Sequence, residues 1–237
     1  MRTRNARPVL RLTARTIRGL AGASLAFLAA SCSSTSSGNT TYAQFYQLMR
    51  QSLSASFGKI RVTRDQAASV SYASMGYSLD GGNQAMLILA TESGGELLWT
   101  SSAHVVIVTR DGRIVRTLGL GHDLSGLTAR NNTTAPSLTA AIKAPFTTTR
   151  LEDFPELSLY GVQVSCRARM MGRQNISILG QAIPTVRVDE SCHSSQPDWS
   201  FTDNFWVDGD SGLVWRSRQH VHPQGGTVET EILRPPS

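Results

Sequence analysis

Several residue sets in this chain have types and spacings that could do chemistry. The first is histidine, at 104, 122, 193, 220 and 222. His220 and His222 would share one face of an extended segment, which is how a metal pair starts. Two ligands do not make a site, and no cysteine or clear carboxylate completes one. No metal is expected. The second set is acidic. Glu152, Asp153 and Glu156 surround Phe154-Pro155, and Asp203, Asp208 and Asp210 surround a later turn. Paired carboxylates cleave glycosidic bonds when held at a defined separation with one raised pKa. A solvated loop accounts for both clusters more cheaply. Gly-x-Ser-x-Gly, a phosphate-binding Gly-rich loop and His-Glu-x-x-His are all missing from the sequence. The expectation is a protein without catalytic residues or cofactor.

The third set is aromatic. Trp99, Trp199, Trp206 and Trp215 include three near one C-terminal hairpin, beside Arg216, Arg218 and Gln219. Flat rings with guanidinium and amide donors can hold a sugar or a partner protein. The same residues can equally form a core and its rim, because tryptophan is commonly buried. Both readings stand at the level of sequence.

The cysteines make the fourth set. Cys32 ends a stretch with the three marks of an export signal. Arg2, Arg4, Arg7, Arg11, Arg15 and Arg18 form its basic part, Gly19 to Ala30 its apolar core, and small residues its exit. That core falls short of the roughly 20 apolar residues of a spanning helix. "LAASC" resembles a bacterial lipobox, so residues 1–31 read as a signal peptide and Cys32 as the lipid attachment point. "SSTSSGNTT" follows, a flexible tether over residues 32–41. Cys166 and Cys192 remain in the body. Each ends an apolar strand face: Tyr160, Val162 and Val164 lead to Cys166, and Val186 and Val188 lead to Cys192, with Glu190 as an exception in the pattern. In an exported protein such a pair is expected to form a disulfide.

Charge narrows the partners. The chain has 23 basic and 17 acidic residues. Six of the basic residues and none of the acids precede Cys32, which leaves 17 of each in the body. A neutral body lacks the basic footprint of a nucleic-acid binder, so no nucleic acid is expected. Its expected partner is a lipid bilayer, through acylated Cys32.

The elements that must position these residues are mostly strands. Phe45, Leu48, Met49, Leu53 and Phe57 recur at helical spacing, which predicts one amphipathic helix over Tyr42 to Phe57. Asp65 to Val70 reads as a helical turn. Ala85 to Ala90 is apolar on both faces, a central strand. Asp111-Gly112, between "HVVIVT" and "RIVRTL", is a hairpin signal. Asn131 to Arg150 reads as a long surface connection and a boundary between two sublobes. Strands are expected near 158–168, 173–183 and 184–192, then a hairpin over Asn204 to Gln219 with Asp208 to Gly212 as its loop, and a last strand at Thr227 to Leu233. The fold class is mainly β: antiparallel sheets in a sandwich or partly open barrel, filling residues 42–237.

Two segments resemble a known family. "LLWTSSAHVVIVTRDGRIVRTLGLGHDL" and "FWVDGDSGLVWRSRQHVHP" are similar to the core patterns of the YjbF/GfcB-type lipoproteins. The resemblance spans about Tyr42 to Leu233. It implies an outer-membrane lipoprotein, on the periplasmic face, accessory to group 4 capsule or exopolysaccharide secretion or assembly. Its partners would be a polysaccharide or polysaccharide-secretion proteins. The motif positions it carries over are Trp99, Gly112, Arg113, Thr117, Gly119, Leu120, Trp206, Asp208, Gly212, Trp215 and Gln219, and it assigns none of them a catalytic role. Physical chemistry adds that Gly112 and Gly212 permit turn backbone, and that Arg113 and Arg116 must each be exposed or paired. The competing functions are a periplasmic carbohydrate-modifying enzyme and a structural module bridging envelope proteins.

Overall fold

A computed structural model describes residues 59–130 and 135–236. The stripe over Tyr42 to Phe57, the export segment and Cys32 lie outside the described residues. Twelve strands follow one another: β1 Ser74–Leu79, β2 Ala85–Ser93, β3 Glu96–Thr100, β4 Val106–Arg110, β5 Arg113–Leu118, β6 Gly126–Ala129, β7 Phe146–Phe154, β8 Leu159–Ile178, β9 Gln181–Ser195, β10 Asp198–Val207, β11 Val214–His220 and β12 Thr227–Arg234. Helix α1 spans Arg64–Ala68 and α2 spans Leu138–Lys143.

Local sequence accounts for the turns. Three two-residue connections place both residues at positive φ: Gly94-Gly95, Asp111-Gly112 and Leu179-Gly180. That is the backbone whose twist suits a tight antiparallel hairpin. The third carries a leucine where Asn or Asp is usual. The strand boundary expected at 183–184 therefore gives way to a turn at 179–180, and β8 and β9 form one long hairpin. Helix α1 starts at a reciprocal cap: Gln66 N–H donates to Thr63 Oγ1, and Thr63 N–H donates to Gln66 Oε1.

All strands join one antiparallel sheet in the order β5-β4-β3-β2-β1-β12-β11-β10-β9-β8-β7-β6. The outermost strands, β5 and β6, are consecutive in the chain and joined only by residues 119–125. Thr117 N–H donates to Leu124 O at 2.8 Å, and Leu124 N–H to Thr117 Oγ1 at 2.9 Å. The short link draws the two edges together, so the sheet curls into a nearly closed barrel. Strands on either side of residues 131–150 belong to this one sheet. Within that span, expected as surface connection, Leu138 and Ala141 of α2 are buried.

Two apolar clusters fill the body. The larger includes Met75, Leu87, Trp99, Ile107, Ile114, Phe154, Val164, Phe201 and Val228. The smaller packs Leu138 and Ala141 of α2 against Ala168, Val188, Phe205, Val207 and Val214. Cys166 and Cys192 pair directly across β8 and β9 and form the expected disulfide. Tyr160, expected on the same buried face, is 68% exposed.

Gly112 is the position where backbone and packing agree most sharply. Its φ is +76°, and a Cβ there would collide with Val214 Cγ2. The β4–β5 turn thus rests against β11. Gly112→Ala should destabilise the protein by about 1–3 kcal/mol. Chemical denaturation checks this, and an unchanged midpoint would contradict the close approach.

Candidate functional site

The residues of greatest chemical interest meet between the two apolar clusters. On β9, Glu190 stands between Val188 of the smaller cluster and Cys192 of the larger. On β10, Asp203 stands between Phe205 and Phe201, and on β7 Arg150 and Glu152 stand between Phe146 and Phe154. Arg113 opens β5 beside Ile114. All five charged side chains are buried. Arg113 donates Nη2 to Glu190 Oε1 at 2.6 Å and Nε to both carboxylate oxygens at 3.2 and 3.3 Å. Arg150 Nε donates to Glu152 Oε1 at 2.6 Å, with Nη1 3.7 Å from Glu190 and Nη2 3.6 Å from Asp203. The result is a belt of charge across the core.

Uncharged groups extend the belt. Gln219 accepts the Ile114 N–H at 2.9 Å and donates to Gly112 O at 2.9 Å and to Ser217 Oγ at 2.7 Å. It supplies to β5 the backbone bonds that a neighbouring strand would otherwise provide. Asp203 Oδ1 accepts the His220 N–H at 2.8 Å. Trp99 Nε1 donates to Thr109 Oγ1 at 3.0 Å.

Burial and charge pull the belt's protons in opposite directions. For Arg150, burial opposes the charge, but Glu152, Asp203 and Glu190 overcome it and raise the pKa, so the guanidinium stays charged. For Glu152, burial is the largest influence and raises the pKa, against the lowering effect of Arg150. Its Oε2 has no hydrogen-bond partner among the described residues.

The acid clusters are therefore less uniform than solvated loops. Glu152 and Asp203 belong to the core. Asp208 does serve a loop: its Oδ1 accepts the N–H groups of Ser211 and Asp210 at 2.8 and 2.9 Å, and the Ser211 bond leads in holding its pKa below the usual value.

The histidine pair does not form either. His220 turns to Asp203, whereas His222 is fully buried and stacks on His122 with ring centres 4.9 Å apart. Glu156 Oε1 lies 2.8 Å from both His122 Nδ1 and His222 Nε2. Three potential metal-ligand atoms thus fall within 4.8 Å of one another. The surroundings of His222 argue against a metal. Gln224 N–H donates to its Nδ1 at 3.1 Å, which leaves the proton of the neutral ring on Nε2, the atom a metal would need. Burial also holds the His222 pKa low, so the ring is kept neutral. A second group, Glu190, Cys192 and Asp203, has its sulfur in the disulfide and its carboxylates facing arginine.

The expected aromatic surface divides. Trp99 and Gln219 are buried, and Trp199 stacks on Phe201 with ring centres 4.0 Å apart. Trp99 and Gln219 are core, and Trp199 is half-buried and packs against it. Trp206 is half-buried, with the guanidinium carbons of Arg187 and Arg216 5.6 and 5.7 Å from its ring centre. Arg216 is tied to Glu231, its Nε donating to Oε1 at 2.7 Å, and Arg218 is exposed. Trp215 lines a cleft of 450 Å³ with Arg64, Ile178, Gln181, Leu233 and Arg234. Arg113 is buried and paired while Arg116 is exposed, the two outcomes open to a strand arginine. Sequence reasoning missed Arg150, Glu152, Glu190 and Asp203 as one unit. The available signal was Glu190, a charge in the middle of an apolar strand face.

A family model described as group 4 capsule polysaccharide lipoprotein GfcB, YjbF, matches residues 49–233. The uncharacterised lipoprotein YjbF of Escherichia coli K12 is 27% identical over 181 residues, covering 74% of this chain and 81% of that one. The uncharacterised lipoprotein GfcB of the same strain is 26% identical over 178 residues, covering 74% and 82%. The crystal structure of the hypothetical E. coli lipoprotein YmcC aligns with a TM-score of 0.65 at 21% identity, over 86% of this chain and 100% of that one, and so shares the fold.

The belt has a pH consequence. The folded state raises the Glu152 pKa above its ordinary 4.5. Its contribution to stability is complete below that ordinary value and is lost as pH rises through the folded value. Glu152→Gln should therefore melt higher than the native chain at alkaline pH, with the gap closing as the medium is acidified. Parallel melting curves between about pH 4 and pH 9 test it, and a gap that widens towards acid would refute the assignment.

Proposed function

The chain belongs to the YjbF family of group 4 capsule polysaccharide lipoproteins, and on that premise we propose that it is a non-enzymatic accessory lipoprotein of capsule or exopolysaccharide secretion or assembly. It binds polysaccharide or an envelope partner while held at the periplasmic face of the outer membrane by acylated Cys32. Residues 1–31 direct export and are removed, and 32–41 form the tether. The reading draws on the lipobox resemblance and on the names of the relatives.

The observation that carries the binding role is the cleft at Trp215. Trp215 shares the lining of that cleft with Arg64, Arg234 and Gln181, and Ile178 and Leu233 add apolar wall. A sugar ring presents a C–H face to stack and hydroxyls to bond, and this lining offers a counterpart to each. The non-enzymatic part is supported by the work the acids already do. Glu152, Glu190 and Asp203 face arginines within the core, and Glu156 faces two histidines.

Deletion of the gene, complemented by either the native chain or Cys32→Ala, tests the reading. Surface and secreted polysaccharide should fall in amount or chain length on deletion, return with the native chain, and fail to return with Cys32→Ala. Polysaccharide unchanged by deletion would overturn the role, and full rescue by Cys32→Ala would overturn the anchor.

A further inference from the structure

The body of the chain is neutral, but its charge is unevenly spread. One positive cluster lies on β8, where the sequence runs Arg167-Ala168-Arg169-Met170-Met171-Gly172-Arg173. Arg167, Arg169 and Arg173 are exposed, and none has a hydrogen-bond or ion-pair partner among the described residues. Lys143, also exposed, closes α2 just before Phe146, which pairs with Ala168 in the same stretch. Asp189, the acid opposite Arg169, is buried and accepts from Arg187 Nε and Nη2 at 2.8 and 3.1 Å. It is already satisfied, so the described residues leave the guanidinium groups of β8 unneutralised.

Two methionines sit inside this cluster. Strand β7 pairs with β8 only as far as Ala168, so from Arg169 onward β8 has β9 on one side and no strand on the other among the described residues. The β8–β9 register shifts between Met170 and Gly172, which makes Met171 the extra residue of a bulge. Gly172 takes φ +143° there, backbone that residues with a side chain rarely adopt. Both thioethers face solvent: Met170 is 41% exposed and Met171 49%. They are the only neighbours in sequence among the exposed large apolar side chains of the described residues. Charge and a bulge also keep a free strand edge from pairing. That duty calls for the arginines and leaves the two methionines unexplained.

Cations around exposed apolar groups match a bilayer surface of anionic phospholipid. Guanidinium groups bond phosphate, and flexible thioethers suit the boundary between headgroup and acyl chain. An acidic polysaccharide would meet the charge, but its rings stack on flat aromatic groups and gain little from thioethers. The chain between Cys32 and Lys59 reaches roughly 90 Å at full extension, so an anchor at Cys32 sets nearness to the membrane and not which side of the barrel meets it. We propose that the β8 bulge is a membrane-docking patch, with Arg167, Arg169 and Arg173 on lipid phosphates and Met170 and Met171 between the headgroups. The proposal rests on the anchored-lipoprotein reading above and adds an orientation to it.

The test uses the exported chain reconstituted with vesicles of phosphatidylglycerol and phosphatidylethanolamine, or of phosphatidylcholine alone, and follows peroxide oxidation of each methionine by mass spectrometry. Met170 and Met171 should oxidise at least about fivefold more slowly on the anionic vesicles, well inside the roughly hundredfold bias that three basic residues supply near such a surface. Added salt should restore the rate. With Arg167→Gln, Arg169→Gln and Arg173→Gln combined, the pair should oxidise equally on both vesicles, while the buried Met75 and Met86 stay protected and report that the fold is kept. Equal oxidation of the native chain on the two vesicles, or protection that survives the triple substitution, overturns the patch. Protection on neutral vesicles by dissolved polygalacturonate, as full as that by anionic lipid, overturns the membrane assignment and gives the patch to acidic polysaccharide. Failure to float with phosphatidylcholine vesicles removes the anchor, and the patch then stands or falls on the native and substituted chains compared on anionic vesicles in excess.

Discussion

The pairing of Arg113 with Glu190 is the interaction on which the rest of the barrel depends. Arg113 begins β5, one edge of the sheet, and Glu190 lies in the middle of β9, eight places away in strand order. No backbone ladder joins them. A buried guanidinium without a partner is costly, and so is a buried carboxylate. Each therefore makes the other's burial tolerable only when the sheet has curled far enough to bring them together. Gln219 reinforces the same closure by bonding Gly112 O of the β4–β5 turn and the Ile114 N–H of β5. Apolar burial supplies the driving force for the barrel. Hydrophobic contacts alone specify its closure poorly, because they tolerate sliding. The charged and amide contacts admit one register.

That belt also partitions the molecule. Apolar residues on either side form separate clusters, with α2 sealing the smaller one. The acids that might have suggested hydrolysis are used to balance arginines. The Trp215 cleft differs in character from the belt, with an aromatic side chain and apolar walls.

Much of the fold was legible in the sequence because its signals are local. Asp111-Gly112 and Gly94-Gly95 have the residues that positive φ demands, and the alternation around Val162, Val164 and Cys166 is that of a one-sided strand. Leu179-Gly180 hid its turn because leucine disfavours the conformation it adopts there (φ 51°). Residues 135–150 hid a helix because α2 is short and gains its stability from Phe205, Val188 and Val214, which lie far along the chain. The site was less legible than the fold. Glu190 broke an apolar pattern, which marks a buried charge, but nothing local names Arg113, 77 residues away, as its partner. Trp99 and Gln219 looked like surface candidates because residue type alone does not reveal which way a strand faces.

The central claim, that Arg113 and Glu190 are coupled across the core and hold the barrel closed, is tested most directly by a double-mutant cycle on unfolding free energy. The variants are Arg113→Gln, Glu190→Gln and the two combined. Each single change should cost about 3–5 kcal/mol by stranding a buried charge. The double variant should cost clearly less than their sum, giving a coupling of about 2 kcal/mol or more. A coupling below about 0.5 kcal/mol, as for independent sites, would mean that the pair is incidental to closure and would contradict the account.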